Sequence, residues 1–521
     1  MSLRKPFSAA SSPVLQSAIP LLDALEGFFR SRSSAVYLVG GFLRDVLLDR
    51  PSRDVDLAVT GDAVALARSL ARLLGGTLVP LDEAHSIARV VLPLKEGGKG
   101  TSATWQVDLA SFSQGIERDL ARRDFTIDAL ALPLDDALRG SFGEALVDPF
   151  GGLSDLATSK VKAVSPQVFQ DDPVRLLRGV RLAAQLGFSL DQDTQRLARR
   201  DAHLVSSVAP ERLRDELLKT LAEPGASAHL RLLDDLGLLC RLIPELEVAR
   251  GVTQPKEHYW DVFYHCLETS GCVERVTSEA GRAGDRVLSW VPWHTSLETY
   301  FQEEVSDGHN RRTIIKLAGL LHDIAKPATR TIEPGGRMRF FGHDSQGAKI
   351  SEGILRRLRL SSRGVHLVST MIEHHLRPTQ MNQGVDMPTR RATYRYFRDV
   401  ADAAIDTLYL NLADYLSAKG PVVEDLEDWR GHCDLIGHIL HQGLQKEGTP
   451  QSIPRLVDGH TLMQALGLFP GPDVGRLLDA IHEAQGSGEV ITREEALDLA
   501  RRLLKEEDSK GSSEMPHPGV E

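Results

Sequence analysis

The sequence predicts an α/β head followed by an all-α remainder, and three observations carry that prediction. Up to about residue 150, short apolar runs with period-2 alternation interleave with helical periodicity. The Pro- and Gly-rich stretch LVDPFGGLSDL marks a boundary near Asp148 to Gly152. From Pro173 onward strand-like runs nearly vanish, and helical spacing governs VRLLRGVRLAAQLGF, ERLRDELLKTL and HLRLLDDLGLLCRL.

In chain order, residues 1–18 are rich in Ser and Pro and are expected to be flexible, ahead of an amphipathic helix around Leu21 to Phe29. Tyr37 to Val39 reads as a short buried strand, Phe42 to Leu48 as a helix, and Arg53 to Val59 as a second strand. Between the first two, Gly40 and Gly41 permit a tight strand-to-helix turn whose N–H groups can approach a phosphate. Alternation places Asp54 and Asp56 on one strand face, where two carboxylates repel unless a cation lies between them. Hard oxygen ligands of this kind suit Mg²⁺. In TWQVDLASF the same alternation puts Asp108 on the polar face of a neighbouring strand. Three carboxylates converging on a metal pair is the arrangement phosphoryl or nucleotidyl transfer needs.

The whole chain has 521 residues, enough for about three or four domains, and 42% hydrophobic with 26% charged residues is ordinary for a globular protein. A net charge of −11 argues against general nucleic-acid coating, yet Arg175, Arg178, Arg181, Arg196, Arg199, Arg200, Arg212 and Arg214 crowd one segment. Cys240, Cys266, Cys272 and Cys433 form no C-x-x-C pair, which points to a reducing compartment and no zinc–thiolate site. With no apolar run of roughly 18 residues and no signal-peptide core, a cytoplasmic protein without membrane contact is expected. A polar insertion spans about Glu274 to Arg312 and is expected to be an irregular excursion. The expected divisions are 1–18, a head over 19–150, a helical neck over 151–250, a third domain over 251–424, a helical region over 425–505, and a disordered tail over 506–521.

In the second half, FYHCLET, LLHDIAKP, FGHD, EHHLRP and NLADYL supply His265, His322, Asp323, His343, His374, His375 and Asp414. Imidazole and carboxylate on separate helices make a mixed N/O site suited to Mn, Fe, Co or Ni.

These motifs resemble the class II tRNA nucleotidyltransferase and bacterial poly(A) polymerase family, followed by an HD-type metal phosphohydrolase domain. The resemblance rests on LVGGFLRD…RDVDLAV, RRDFTIDALAL, DPFGGLSDL, DDPVRLLRGVRLAAQLGF and ERLRDEL, in the family's order. It implies a polymerase-β-like mixed sheet in the head, Mg²⁺ held by Asp54 and Asp56 with Asp108 as the third catalytic acid, and RNA lying along the Arg-rich neck. The nucleotide-binding residues it implies are Gly40, Gly41, Arg44, Arg122, Arg123, Asp124, Asp128, Asp172, Arg175, Arg178 and Arg181. Asp128 stands where the family usually carries Asn.

Asp172 is expected to be the N-cap of a helix with Pro173 at its first position, and Arg175 follows on the same face. As acceptor and donor, the pair can take the amino hydrogen of C or A and donate to the adjacent ring nitrogen, whereas U and G present the opposite pattern. The resemblance gives Asp172 and Arg175 this base-reading role. It also gives a phosphohydrolase site to His265, His322, Asp323 and Asp414, with His343, His374 and His375 as further candidates and Lys326 beside the phosphate. The implied partners are the tRNA 3′ end and CTP, with or without ATP. A poly(A) polymerase, or an HD phosphohydrolase whose head only binds RNA, stays open on these residues. In CCA-adding relatives a flexible loop between the third acid strand and RRD helps the pocket pass from CTP to ATP, and CC-adding relatives have it shortened. Here that link is only SQGIERDLA, so CC addition is expected unless KEGGKGTSATW, Lys95 to Trp105, carries an equivalent segment.

Overall fold

The computed structural model describes residues 12–82, 86–93, 104–280, 282–382, 387–444 and 455–511. The chain divides into two compact units, residues 1–220 with 232–242 and residues 221–231 with 243–521.

The first unit carries a six-stranded mixed sheet with strands β1 (Val36–Val39), β2 (Asp54–Thr60), β3 (Thr77–Asp82), β4 (Ile87–Pro93), β5 (Thr104–Phe112) and β6 (Ala131–Pro133), in the order β3-β4-β5-β2-β1-β6. Only β2 and β5 run parallel within it, in a register that sets Asp54 beside Gln106 and Asp56 beside Asp108. Alternation explains the packing: Val55, Leu57, Val107 and Leu109 are fully buried on one face. The opposite face is open at Asp54 and Asp56, but from Ala58 onward it is sealed by Val39, Phe112, Ile116 and Leu120.

Helices α1 (Pro13–Arg30), α2 (Gly40–Leu48) and α3 (Ala63–Leu74) accompany the sheet. Helix α1 begins well before Leu21, which corrects the expected flexible stretch at 13–18. Pro13 suits a first helical position, and Val14, Leu15 and Ala18 are buried, so the prolines concealed a continuous apolar face. Beyond β5 a three-residue link, 113–115, leads into a short helix Ile116–Leu120, and then come RRDFTID and β6. The DPFGG motif has a steric cause. Asp148 accepts from the N–H groups of Gly152 (2.7 Å) and Leu153 (3.0 Å), and a Cβ at Gly152 would lie 2.2 Å from the Thr126 carbonyl oxygen. The neck follows with helices Arg175–Leu186, Gln192–Asp201 and Pro210–Ala222.

In the second unit, helices Val262–Val276, Arg311–Leu321, His343–Arg357, Ser362–His374 and Ala404–Ala418 pack into a bundle. The expected irregular excursion over 274–312 is instead built into it. Leu288, Val291, Leu297 and Phe301 are buried, Trp293 and Phe301 contact Tyr409, and Arg282 lies over the Trp293 ring. Among the described residues of this unit, strand structure is confined to two short hairpins, Glu304–Ser306 with His309–Asn310 and Arg330–Ile332 with Met338–Phe340. Helices Gly459–Leu466, Pro472–Ser487 and Arg493–Gly511 enclose a separate core of Leu462, Leu477, Ile481, Ala496 and Ala500. The last helix runs past the expected start of the tail at 506, and 512–521 lie outside the described residues. Among the described residues no helix is long and apolar enough to cross a membrane.

Candidate functional site

The β1–α2 turn is shaped around a carboxylate. Gly40 has φ +65°, and a Cβ there would lie 2.8 Å from Arg123 Nη1 and 3.1 Å from Asp56 Oδ2. The Phe42 N–H donates to Asp56 Oδ2 at 3.1 Å, so this helix N-terminus first serves the acid rather than a free phosphate position. Burial pushes the Asp56 carboxyl up to about 6, against the pull of the Phe42 N–H and Arg123. Asp54 is also pushed up by burial.

Asp108 stands beside Asp56 in the β2–β5 register, and its charge adds to the rise of both Asp54 and Asp56. Its two oxygens are forked by Arg89 from β4, Nε at 2.7 Å and Nη2 at 2.8 Å, because Arg89 is its cross-strand partner. In this arrangement the ligand atoms of the three head acids are not all gathered within 4.8 Å of one another. Asp54 and Asp56 fit a divalent cation by donor type and by the cost of ionising Asp56 unaided.

The turn opens on a cavity of about 460 Å³. Its wall brings together the predicted Gly40, Gly41, Asp56, Arg122, Arg123, Asp124, Asp128, Asp172, Arg175 and Arg178. Arg178 pairs with Asp124 at 2.7 Å, and Arg123 with Asp119 at 3.3 Å. Two predicted arginines are corrected. Arg44 lies beneath the cavity, where its Nη1 donates to Asp128 Oδ1 at 2.8 Å and its Nη2 pairs with Asp45 at 2.9 Å. Burial opposes its charge, but those carboxylates outweigh it and hold the Arg44 pKa up. Arg44 therefore supplies a counter-charge to Asp128. Arg181 is spent on Glu216 at 2.6 Å and Gln185 at 2.9 Å, and it is not among the lining residues.

Asp172 and Arg175 both reach the cavity, with the helix entered more tightly than expected. Regular α structure starts at Arg175, Asp172 is extended (φ −150°, ψ 101°), and the Arg175 and Leu176 N–H groups bond the Asp172 and Pro173 carbonyls three residues back. Asp172 Oδ1 still accepts from the Val174 N–H at 3.3 Å. The sequence reading missed one wall: Arg212, Asp215, Glu216 and Lys219 line the cavity from helix Pro210–Ala222. Their i, i+3, i+4, i+7 spacing in ERLRDELLK was the available signal.

In the second unit six candidate metal ligands converge. His265 Nε2 lies 3.3 Å from Asp323 Oδ2 and 3.0 Å from Asp414 Oδ1, and His322 Nε2 lies 3.2 and 3.4 Å from the same atoms. On the other side of Asp323, Oδ1 faces His343 Nε2 at 3.3 Å and His375 Nε2 at 3.8 Å. Ligand atoms thus fall into two groups that share Asp323. Each imidazole is held from behind: Nδ1 of His322, His343 and His375 bonds the carbonyls of Gly319 (2.9 Å), Phe340 (2.6 Å) and Ile372 (2.6 Å), and His265 Nδ1 meets Ser417 Oγ at 3.1 Å. A carbonyl can only accept, so those Nδ1 atoms carry the hydrogen, and Nε2 is the atom turned to the carboxylates, which would bind a metal once unprotonated. Burial opposes charge on His322, but Asp323 and Asp414 outweigh it and raise its pKa to about 10; burial drops His375 to about 4. His374 is corrected: it is half-buried and belongs to neither group. Lys326 Nζ sits 2.5 Å from Asp323 Oδ2 and 2.7 Å from Gln254 Oε1, at the edge of the centre.

A mixed sheet with paired acids at a Gly-Gly turn, a cleft lined by both cations and carboxylates, and a His/Asp helical centre define a nucleotidyltransferase head joined to a metal-binding HD domain. Family models agree: a poly A polymerase head domain matches residues 36–162, a probable RNA and SrmB-binding site of polymerase A matches 187–250, and an HD domain matches 262–419. An A-adding tRNA nucleotidyltransferase of Deinococcus radiodurans is 34% identical, over 90% of this chain and 95% of its own length. A CC-adding tRNA nucleotidyltransferase of Thermus thermophilus is 32% identical, over 92% and 96%. Among solved structures, a Thermotoga maritima CCA-adding enzyme complexed with tRNA shares the fold at 22% identity and TM-score 0.57, covering 97% of this chain and 100% of that one. The chain belongs to the tRNA nucleotidyltransferase and poly(A) polymerase family, and it is an enzyme that uses divalent metal.

Proposed function

We propose that this protein adds C to the 3′ end of tRNA from CTP and stops after two additions, leaving the terminal A to a partner enzyme. The observation that carries the stop is the link from β5: only residues 113–115 separate Phe112 from helix Ile116–Leu120, and Ile116 and Leu120 are buried against Val39 and Ala58. A segment fixed in the core by two apolar anchors has no freedom to act as the lever that readmits the pocket to ATP. The alternative segment, Lys95 to Trp105, lies for the most part outside the described residues. A relative named CC-adding supports this reading, whereas the one named A-adding favours a second, in which the substrate is tRNA already ending in CC and the nucleotide is ATP.

In either reading Mg²⁺ at Asp54 and Asp56 would favour ionisation of the RNA 3′-hydroxyl and neutralise the departing pyrophosphate. Arg122, Arg123, Arg178 and Lys219 attract and orient the triphosphate, while Asp172 and Arg175 read the base edge. Such an enzyme works where tRNA is processed, in the cytoplasm. The test is a gel of tRNA ending at the discriminator base, and of tRNA ending in CC, each with CTP and ATP. A product two nucleotides longer is expected. A product three longer and ending in A defeats the CC reading, A added only to the CC-ended tRNA favours the second, and an open-ended A tract indicates a poly(A) polymerase.

We further infer a phosphohydrolase at the His/Asp centre, with Mn, Fe, Co or Ni held by His265, His322, Asp323 and Asp414 and by His343 and His375 across Asp323. The inward-facing Nε2 atoms carry this reading.

A further inference from the structure

We propose that Arg212 is a positioning residue for base choice: it forks the Asp172 carboxylate so that a single acceptor direction, on Oδ2, is offered to the incoming base. The inference rests on nucleotide addition with Asp172 as base reader, but not on where addition stops.

The geometry is specific. Arg212 Nη1 donates to Asp172 Oδ1 at 3.1 Å and Nη2 donates to Oδ2 at 2.7 Å. Oδ1 also accepts from the Val174 N–H at 3.3 Å. Each carboxylate oxygen has two lone pairs. On Oδ1 both are used, one by Arg212 and one by the backbone. On Oδ2 one is used, and the other is left for a donor from the cavity that Asp172 and Arg212 both line. A guanidinium fork also fixes the carboxylate plane and takes both oxygens as acceptors, so the group shown to the base has no O–H to give.

The second reader is held as firmly. Arg175 Nη2 donates to the Arg122 carbonyl at 2.9 Å, and Nη1 to the Val168 carbonyl at 3.4 Å. Acceptor and donor are thereby set at fixed positions in the same wall. C and A, which offer an exocyclic amino hydrogen next to a ring acceptor, match that order; U and G offer a carbonyl oxygen next to a ring N–H and oppose it. Rejection of U depends on the carboxylate being unable to turn or to donate, because a site built to pair one hydrogen-bonding pattern discriminates only while its own groups cannot adapt. Without Arg212, Asp172 keeps only the Val174 N–H and is free to rotate.

The test uses the full chain with Arg212→Ala, Arg212→Lys and Asp172→Asn. kcat and KM are measured for CTP against UTP on tRNA ending at the discriminator base, and for ATP against GTP on tRNA ending in CC. For whichever correct nucleotide the wild type adds, Arg212→Ala is expected to shrink the ratio of kcat/KM values, correct over incorrect, by about ten-fold or more. Most of the loss should fall on the correct nucleotide's KM. Arg212→Lys, which keeps the charge but not the fork, should recover part of the ratio. Arg212→Ala combined with Asp172→Asn should discriminate no worse than Asp172→Asn alone. A merely structural Arg212 would lower correct and incorrect nucleotides alike, and an unchanged ratio in Arg212→Ala overturns the proposal while leaving nucleotide addition standing. If the wild type adds neither C nor A to either tRNA, the nucleotide-addition reading fails and this inference with it.

Discussion

Gly40 offers a way to separate backbone strain from active-site geometry. It has φ +65°, and Gly61, at the far end of β2, has φ +98°. An alanine at either position is held in a region that L-residues avoid, at a cost of about 1–2 kcal/mol. For a unit of roughly 200 residues that is a fall of about 2–8 °C in melting temperature. The two sites differ in what the new methyl meets. At Gly61 the nearest atom is Leu66 Cδ1 at 4.0 Å, so strain is the whole effect. At Gly40 the methyl would stand 2.8 Å from Arg123 Nη1 and 3.1 Å from Asp56 Oδ2.

Opening those contacts to ordinary separation moves the guanidinium by about 0.6 Å and the carboxylate by about 0.3 Å. The Arg123 tip can swing aside cheaply, so stability falls little beyond the strain. Chemistry is less forgiving, since a misplacement of about 1 Å can cost about a hundred-fold in rate. Gly40→Ala should therefore lose about ten- to a hundred-fold in kcat/KM for nucleotide addition, while Gly61→Ala stays within a few-fold of wild type at a similar melting temperature. Thermal melts paired with single-nucleotide incorporation kinetics measure both. Equal activity losses in the two variants, or full activity in Gly40→Ala, would refute the assignment of Asp56 and Arg123 to the reaction.

Asp54→Ala and Asp56→Ala should each abolish nucleotide addition and leave tRNA affinity within a few-fold by filter binding; substantial turnover by both at saturating Mg²⁺ would contradict the metal assignment. Because burial raises Asp56 from 3.8 to about 6, its stabilising contribution is complete below the ordinary value and is lost as pH rises through about 6, up to about 3 kcal/mol in metal-free protein. Mg²⁺ should therefore raise the melting temperature more at about pH 7.5 than at about pH 5, and Asp56→Asn should erase that difference; an equal rise at both pH values counts against it. His322→Ala with Asp323→Ala should remove Mn-, Co- or Ni-dependent hydrolysis of cyclic and 2′-phosphates and spare nucleotide addition, so a wild type inactive on these esters with every metal would leave the centre a structural one.

What the sequence discloses depends on whether the cause is local. The β1–α2–β2 segment was legible because period-2 alternation, the glycine pair and the helix lie within one short stretch, and the face bearing Asp54 and Asp56 follows from the pleat alone. Pairing between distant segments was not. Nothing in TWQVDLASF says that Asp108 will meet Arg89, because that contact depends on the β4–β5 register, and nothing near Asp172 announces Arg212 forty positions later. The segment over 274–312 reads as polar because its apolar residues are sparse; Phe301 becomes core, with the half-buried Trp293 beside it, only when Tyr409 arrives from another helix. His374 and His375 show the limit most sharply. They are neighbours in EHHLRP, both are metal-ligand types, and order alone favours neither. At a helix end successive side chains diverge by about 100°, so only one can face the centre. His375 does so because its Nδ1 is tied to the Ile372 carbonyl one turn back at 2.6 Å, which aims Nε2 toward Asp323 and leaves His374 on the outer side.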